Sequence, residues 1–152
     1  TDYDDSYKTP VLTAGKTFIL GYTNETEGVF TKVPVVIFDD FTTATKYVDF
    51  PFKVKSSAMK ILTIKDGFSI VFAYEAMQLI KFAVGGHERH WISKYSCLTI
   101  DIPDIKEQTA IAEILSAADR EIELLRQDIE QEKQKKKALM QLLLTGIVRA
   151  KI

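Results

Sequence analysis

Between Ile105 and Leu144 the sequence contains neither glycine nor proline, and that uninterrupted run limits the fold more than any other feature. Within it Ile111, Leu115, Ala118, Ile122, Leu125 and Ile129 recur at alternating steps of four and three, the spacing of a coiled-coil seam on one helical face. Continuing the register puts Glu132 and Lys136 on the seam before Leu139 and Leu143 resume it. A polar break of this kind usually sets register or pairing. A helix this long cannot hide its stripe against a head of about a hundred residues, so the spacing predicts association with a second helix. The bland alternative is a helix folded back on its own head. Asp104 followed by Glu107 has the D-x-x-E spacing of a capping box, which starts the helix directly after Pro103. Thr145-Gly146 supplies the stop. Ser116 with Asp119 is a second capping pair, which leaves open a helix in two pieces, the longer of about 28 residues and roughly 42 Å.

What precedes the helix reads differently. TFILGY, VPVVIFDDF, KYVDFPFKV and AMKILTI are rich in β-branched and aromatic residues and are separated by Gly, Asn, Asp and Thr clusters, the pattern of short strands with working loops. After the Asp66-Gly67 turn, Ile70, Tyr74, Met77 and Lys81 share one helical face, predicting a helix from about Ser69 to Phe82 that the Gly85-Gly86 pair ends. A short turn opened by Ser93 and a strand over Leu98 to Ile102 complete the head, with Pro103 as its terminator. The expected fold is therefore α+β: a mixed, β-rich globular domain over residues 1–104, then a helical spacer and dimerisation region over 105–152 that pairs as an antiparallel coiled coil.

Composition removes several function classes. The net charge is −1, with 11 basic and 13 acidic residues up to Asp104 and 9 and 8 beyond it, so bulk charge does not announce nucleic acid and any contact must come from a local basic patch. A single cysteine, Cys97, excludes an intrachain disulfide and a zinc site built on several cysteines. The acidic start TDYDDSYKTP has neither the basic opening nor the apolar run of a secretory signal, and even FSIVFAYEAMQLIKF is interrupted by Glu75, Gln78 and Lys81, too polar for a bilayer span. A soluble, cytoplasmic protein is expected, with no membrane partner.

Three stretches invite a chemical reading. His87-Glu88-Arg89-His90 sets two histidines three apart, but the chain has no further histidine to complete a metal site and the i, i+4 spacing of a zinc-protease helix is missing. No metal is expected there, and a polar, DNA-facing or solvated loop fits better. Asp49-Phe50-Pro51-Phe52 is similar to the D-P-P-F type motif of amino-methyltransferases, yet lacks the first proline, and no glycine-rich strand-to-helix turn accompanies it. Neither a catalytic site nor a bound cofactor is expected. FDDFTTATKYVDFPFKVKSSAMK interleaves lysines with threonines, serines and a tyrosine, a mixture able to bind phosphates and read base edges, and equally the composition of a solvated sheet edge protected by lysines.

The segment from Ile102 to Arg149 resembles the helical region of type I restriction-modification specificity subunits. The resemblance rests on Ile102-Pro103, Glu107-Gln108, Ile111-Ala112 with Ile114-Leu115, Asp119 with Ile122 and Leu125, and Lys136-Lys137 through Gly146, and it is specific in order and spacing over about fifty residues. The preceding hundred, with TPVLTAGKTFILGY, VPVVIFDDFT and HWISKY, are similar more loosely to one target-recognition domain of that family. A full specificity subunit has two such domains and two helical regions, so the expectation here is a half-subunit or a piece of a longer chain. The resemblance implies a DNA reader without an active site that reads one half of a split target. Its helices space the halves and dock methyltransferase subunits, which bring S-adenosylmethionine and, through them, the restriction subunit. Two chains paired through their helices would then read an interrupted palindrome in double-stranded DNA. The residues expected to face DNA are Thr42, Thr43, Thr45, Lys46, Lys53, Lys55, His87, Arg89, His90 and Lys94; those expected in the dimer seam are Ile111, Leu115, Ala118, Ile122, Leu125, Ile129, Leu139 and Leu143. The rival reading is a coiled-coil scaffold whose globular head binds protein.

Overall fold

A computed structural model describes residues 3–13, 17–81, 91 and 94–150. They form an α+β structure of two compact units, 1–112 and 113–152. Six strands precede the helices: β1 Thr9–Leu12, β2 Ile19–Thr23, β3 Val35–Asp39, β4 Thr45–Val48, β5 Lys53–Val54 and β6 Met59–Leu62. They assemble as two three-stranded sheets, in the order β2-β1-β5 and β4-β3-β6. In the first, β1 pairs antiparallel with β2 and parallel with β5. The register slips between Val11 and Leu12, which leaves Leu20 as an extra, half-exposed bulge residue. In the second, β3 is the antiparallel centre strand.

The apolar run VVIFD is buried at all five positions, as a strand covered on both faces must be. Strand alternation sorts its side chains. Val35 and Ile37 join Leu12, Val48, Phe52 and Met59 in one cluster that fuses the two sheets. Phe38 points the other way and meets Trp91 and Tyr95 at ring-centroid distances of 5.0 and 4.5 Å. A single strand thus organises two apolar layers.

KYVDFPFKV, read as one strand, is two. Pro51 has no N–H for a ladder, so the chain leaves the second sheet after Val48 and re-enters as β5 of the first. Phe52, fully buried beside Phe30 at 5.4 Å, pins the crossing. The expected strand at Leu98 to Ile102 is not formed: among the described residues no strand pairs with this segment, and Leu98 and Ile102 stand nearly half exposed. Helix α1 spans Ile70–Gln78, shorter than expected from the sequence. Ser69 caps it by accepting from the Phe72 amide, and the turn tightens at once beyond Gln78, where the Leu79 amide donates to Ala76 at 3.2 Å. Gly85 and Gly86 lie outside the described residues. A 3-10 turn, Tyr95–Cys97, follows Trp91.

Helix α2, Ile105–Leu144, is a single 40-residue helix. Ser116 does not break it, because within the helix each backbone N–H finds its carbonyl four residues back and a capping side chain has nothing to cap. Asp104 Oδ1 accepts from the amides of Lys106 and Glu107 at 2.9 and 3.0 Å, one half of the expected capping box; the return bond from Glu107 is not made among the described residues. At the far end Gly146 turns left-handed, and the Val148 amide closes on the Leu142 carbonyl at 3.0 Å. Asp104→Ala should destabilise the folded chain by about 1 kcal/mol, the usual worth of an N-cap, read as a lowered urea midpoint at unchanged m-value.

Candidate nucleic-acid interface

The β3–β4 turn gathers Thr42, Thr43, Thr45 and Lys46. Asp39 holds it: its carboxylate accepts from the Phe41 amide at 3.0 Å and from the Thr42 hydroxyl at 2.6 Å, an Asx-turn arrangement. The Asp39 carbonyl takes the Thr43 amide at 2.8 Å. Thr43 sits at φ 58°, a left-handed conformation that costs a β-branched residue about 1–2 kcal/mol and that the Asp39 contacts enforce. Phe41, Thr42 and Ala44 are left exposed at the tip.

Along β4 the alternation assigns partners. Thr45 and Tyr47 face α1: the Thr45 hydroxyl accepts from Gln78 at 2.7 Å, and Tyr47 lies 6.0 Å from Tyr74. Burial, with the Asp49 charge second, raises the Tyr47 phenol pKa. Lys46 emerges on the opposite face, its ammonium 5.3 Å above the Phe18 ring. Lys53 and Lys55 belong to the other sheet, where Lys53 pairs with Glu25 and Lys55 lies 5.0 Å over Tyr3. In all three lysines the contact is made by the ammonium itself. The six residues therefore divide into a hairpin group and a β5 group on separate sheets. Lys94 is exposed and precedes the 3-10 turn. His87, Arg89 and His90 lie outside the described residues. No three metal-ligating side chains come together among the described residues.

Sequence reasoning passed over the residue that ties this surface together. Asp40 is 1% exposed; one carboxylate oxygen accepts from the Trp91 amide at 2.7 Å and the other meets the Lys60 ammonium at 3.3 Å. Asp40 thereby fastens Trp91 to the outer face of β3 and β6, beside the Phe38 and Tyr95 rings. The Tyr95 phenol pKa is raised by the same burial. An acidic pair closing a wholly apolar strand, Asp39-Asp40, was the available signal, because a carboxylate enters a core only with partners.

Ile111 and Leu115 are half-buried, whereas Ala118 and every later seam position are exposed, including Ile122 at 46%, Leu125 at 54% and Ile129 at 56%. Around the polar break the helix carries Lys133–Glu130 and Lys135–Glu132 pairs one turn apart. Among the described residues no helix is long and apolar enough to cross a membrane.

Residues 2–134 match the family model of the type I restriction modification DNA specificity domain, and the chain belongs to that family. It is also 57% identical, over 108 residues, to the specificity subunit of the type I restriction enzyme EcoR124I/EcoR124II from Escherichia coli, an alignment that covers 67% of this chain and 27% of that relative. The chain thus spans about a quarter of the length of that curated relative.

Proposed function

We propose that this chain is a non-catalytic reader of double-stranded DNA that recognises one half of a bipartite target within a type I restriction-modification complex. The observation that carries the reading is the family match, which runs through the head and well into α2. In this reading the hairpin residues Thr42, Thr43, Thr45 and Lys46, Lys53 of β5 and Lys55 directly after it, and Lys94 with His87, Arg89 and His90 contact the duplex. The α2 helix spaces two readers and docks methyltransferase subunits, which hold the S-adenosylmethionine and bring the restriction subunit into a cytoplasmic complex. The exposed apolar positions from Ala118 to Leu143 support pairing with a second, antiparallel helix. A 40-residue helix is roughly 60 Å long, ample to hold two readers a turn of DNA apart, about 34–36 Å.

Binding-site enrichment with the chain and its methyltransferase tests this. The expected product is two inverted copies of one half-site separated by a spacer of set length; a single uninterrupted or non-symmetric site sinks the paired reading. Failure to bind DNA at all, with methyltransferase present, would favour the scaffold reading. Lys46→Ala should weaken all sequences alike and lower the slope of log K against log salt by about one. A change confined to one base position would instead make Lys46 a base reader.

A further inference from the structure

Lys46, Lys53 and Lys55 hold their ammonium groups in two different ways. Lys53 is paired with the Glu25 carboxylate, which offsets its charge. Lys46 and Lys55 instead place theirs 5.3 Å over the Phe18 ring and 5.0 Å over the Tyr3 ring. A ring face attracts a cation through its quadrupole but carries no net charge, so it orients the ammonium and leaves the positive charge undiminished. Both of these lysines are exposed, and a ring on one side of an ammonium leaves N–H donors on the other side for an anion.

The fold brings each ring to its lysine. Phe18 immediately precedes β2 of the first sheet, whereas Lys46 lies on β4 of the second. Phe18 packs against the core cluster, and its carbonyl accepts from the Thr13 amide at 3.0 Å. Tyr3 lies so close to Gly21 of β2 that a Cβ there would sit 2.9 Å from the Tyr3 Cβ, and the adjoining Asp4 amide donates to the Tyr22 carbonyl at 3.1 Å. Lys55 follows β5, the opposite edge of the same sheet, and its amide donates to the Leu12 carbonyl at 3.0 Å. In both pairs the ring and the lysine belong to different elements, each fixed by its own backbone hydrogen bonds.

Resting on the proposed function, we propose that Phe18 and Tyr3 are positioning residues that set the Lys46 and Lys55 ammoniums for phosphates of the DNA backbone. A long lysine side chain loses rotamer freedom when its ammonium docks on a phosphate. A ring that already holds the ammonium removes part of that cost before DNA arrives. Because the rings are uncharged, they alter the strength of each phosphate contact without altering the number of counterions released. Loss of a lysine therefore lowers the salt slope, whereas loss of a ring lowers affinity at an unchanged slope.

Fluorescence anisotropy tests this, using the full chain with its methyltransferase on the duplex recovered by binding-site enrichment, across a salt series. Lys46→Ala and Lys55→Ala should each lower the slope of log K against log salt by about one. Phe18→Leu and Tyr3→Leu should each weaken binding about three- to fivefold at the wild-type slope. Phe18→Tyr and Tyr3→Phe keep the ring face and should bind as wild type; the hydroxyl that Tyr3→Phe removes makes no hydrogen bond among the described residues. Gly21→Ala displaces Tyr3 without altering Lys55 and should reproduce Tyr3→Leu. The deciding comparison is the double variant, since Phe18→Leu should have no further effect once Lys46 is alanine, nor Tyr3→Leu once Lys55 is alanine. Should Phe18→Leu fold poorly, the Tyr3 and Gly21 variants carry the comparison. Ring substitutions that strengthen binding, or weaken it equally with and without the lysines, overturn the inference, as do lysine variants with an unchanged slope. If the wild-type chain binds no DNA with methyltransferase present, the proposed function itself falls.

Discussion

Asp40→Ala should cost the head about 3 kcal/mol, more than half the stability of a marginal domain. The carboxylate is almost fully buried and engages the Trp91 amide at 2.7 Å and the Lys60 ammonium at 3.3 Å. Truncation leaves the Trp91 N–H without its acceptor, which costs about 1–3 kcal/mol for a buried donor, and strands a lysine whose attraction had offset the burial of the charge. Lys60 stands near solvent, with 26% of its side chain exposed, so part of its loss is recovered by hydration and the total stays below the ~5 kcal/mol of a fully buried broken pair. Asp40→Asn retains an oxygen for the Trp91 amide and should cost roughly 1 kcal/mol. Trp91 is the only tryptophan in the chain, so its emission during urea unfolding reads this site directly. An Ala variant with a wild-type midpoint would show that Asp40 does not hold the segment.

In the proposed dimer, Leu125→Glu combined with Ile129→Glu should abolish pairing of the long helix while leaving the helix intact. Both side chains are more than half exposed in the single chain, so the substitutions remove no internal packing and exposed helix positions accept glutamate readily. In an isologous antiparallel seam each substitution occurs twice, placing four carboxylates in the apolar contact with no cation assigned to them. At a few kcal/mol for each desolvated, unpaired charge, the dimer dissociation constant should rise at least ~1,000-fold. Sedimentation equilibrium compares the two proteins, with far-UV circular dichroism confirming the helix. A wild-type chain that is monomeric at every concentration, or a doubly substituted chain that pairs as tightly as the parent, removes the seam. Loss of pairing should also reduce affinity for a bipartite target to that of one half-site.

Periodicity carried the long helix, since 3.6-residue geometry is local and its start and stop signals, Asp104 and Gly146, act within a turn of themselves. The strands Ile19–Thr23, Val35–Asp39 and Met59–Leu62 were legible for the same reason. Legibility ended where the outcome depended on a distant partner. Leu98 to Ile102 has the composition of a strand and, among the described residues, no strand to pair with; KYVDFPFKV has the composition of one strand and serves two sheets. Composition put Thr42 and Thr45 forward as DNA-facing, and could not show that their hydroxyls bond to Asp39 and Gln78, partners that the fold brings to the turn and to β4.

A stripe of apolar residues and a capping aspartate are properties of a chain segment, so the order of residues alone set the helix, its start and stop and its apolar face, while its continuity through Ser116 came from the structure. Burial of a polar group is a property of a neighbourhood. Asp40 and Gln108 look like surface residues in one dimension and become structural because Trp91, Lys60, Ser69 and Pro103, between 5 and 51 positions away, supply the hydrogen bonds without which neither side chain could leave water.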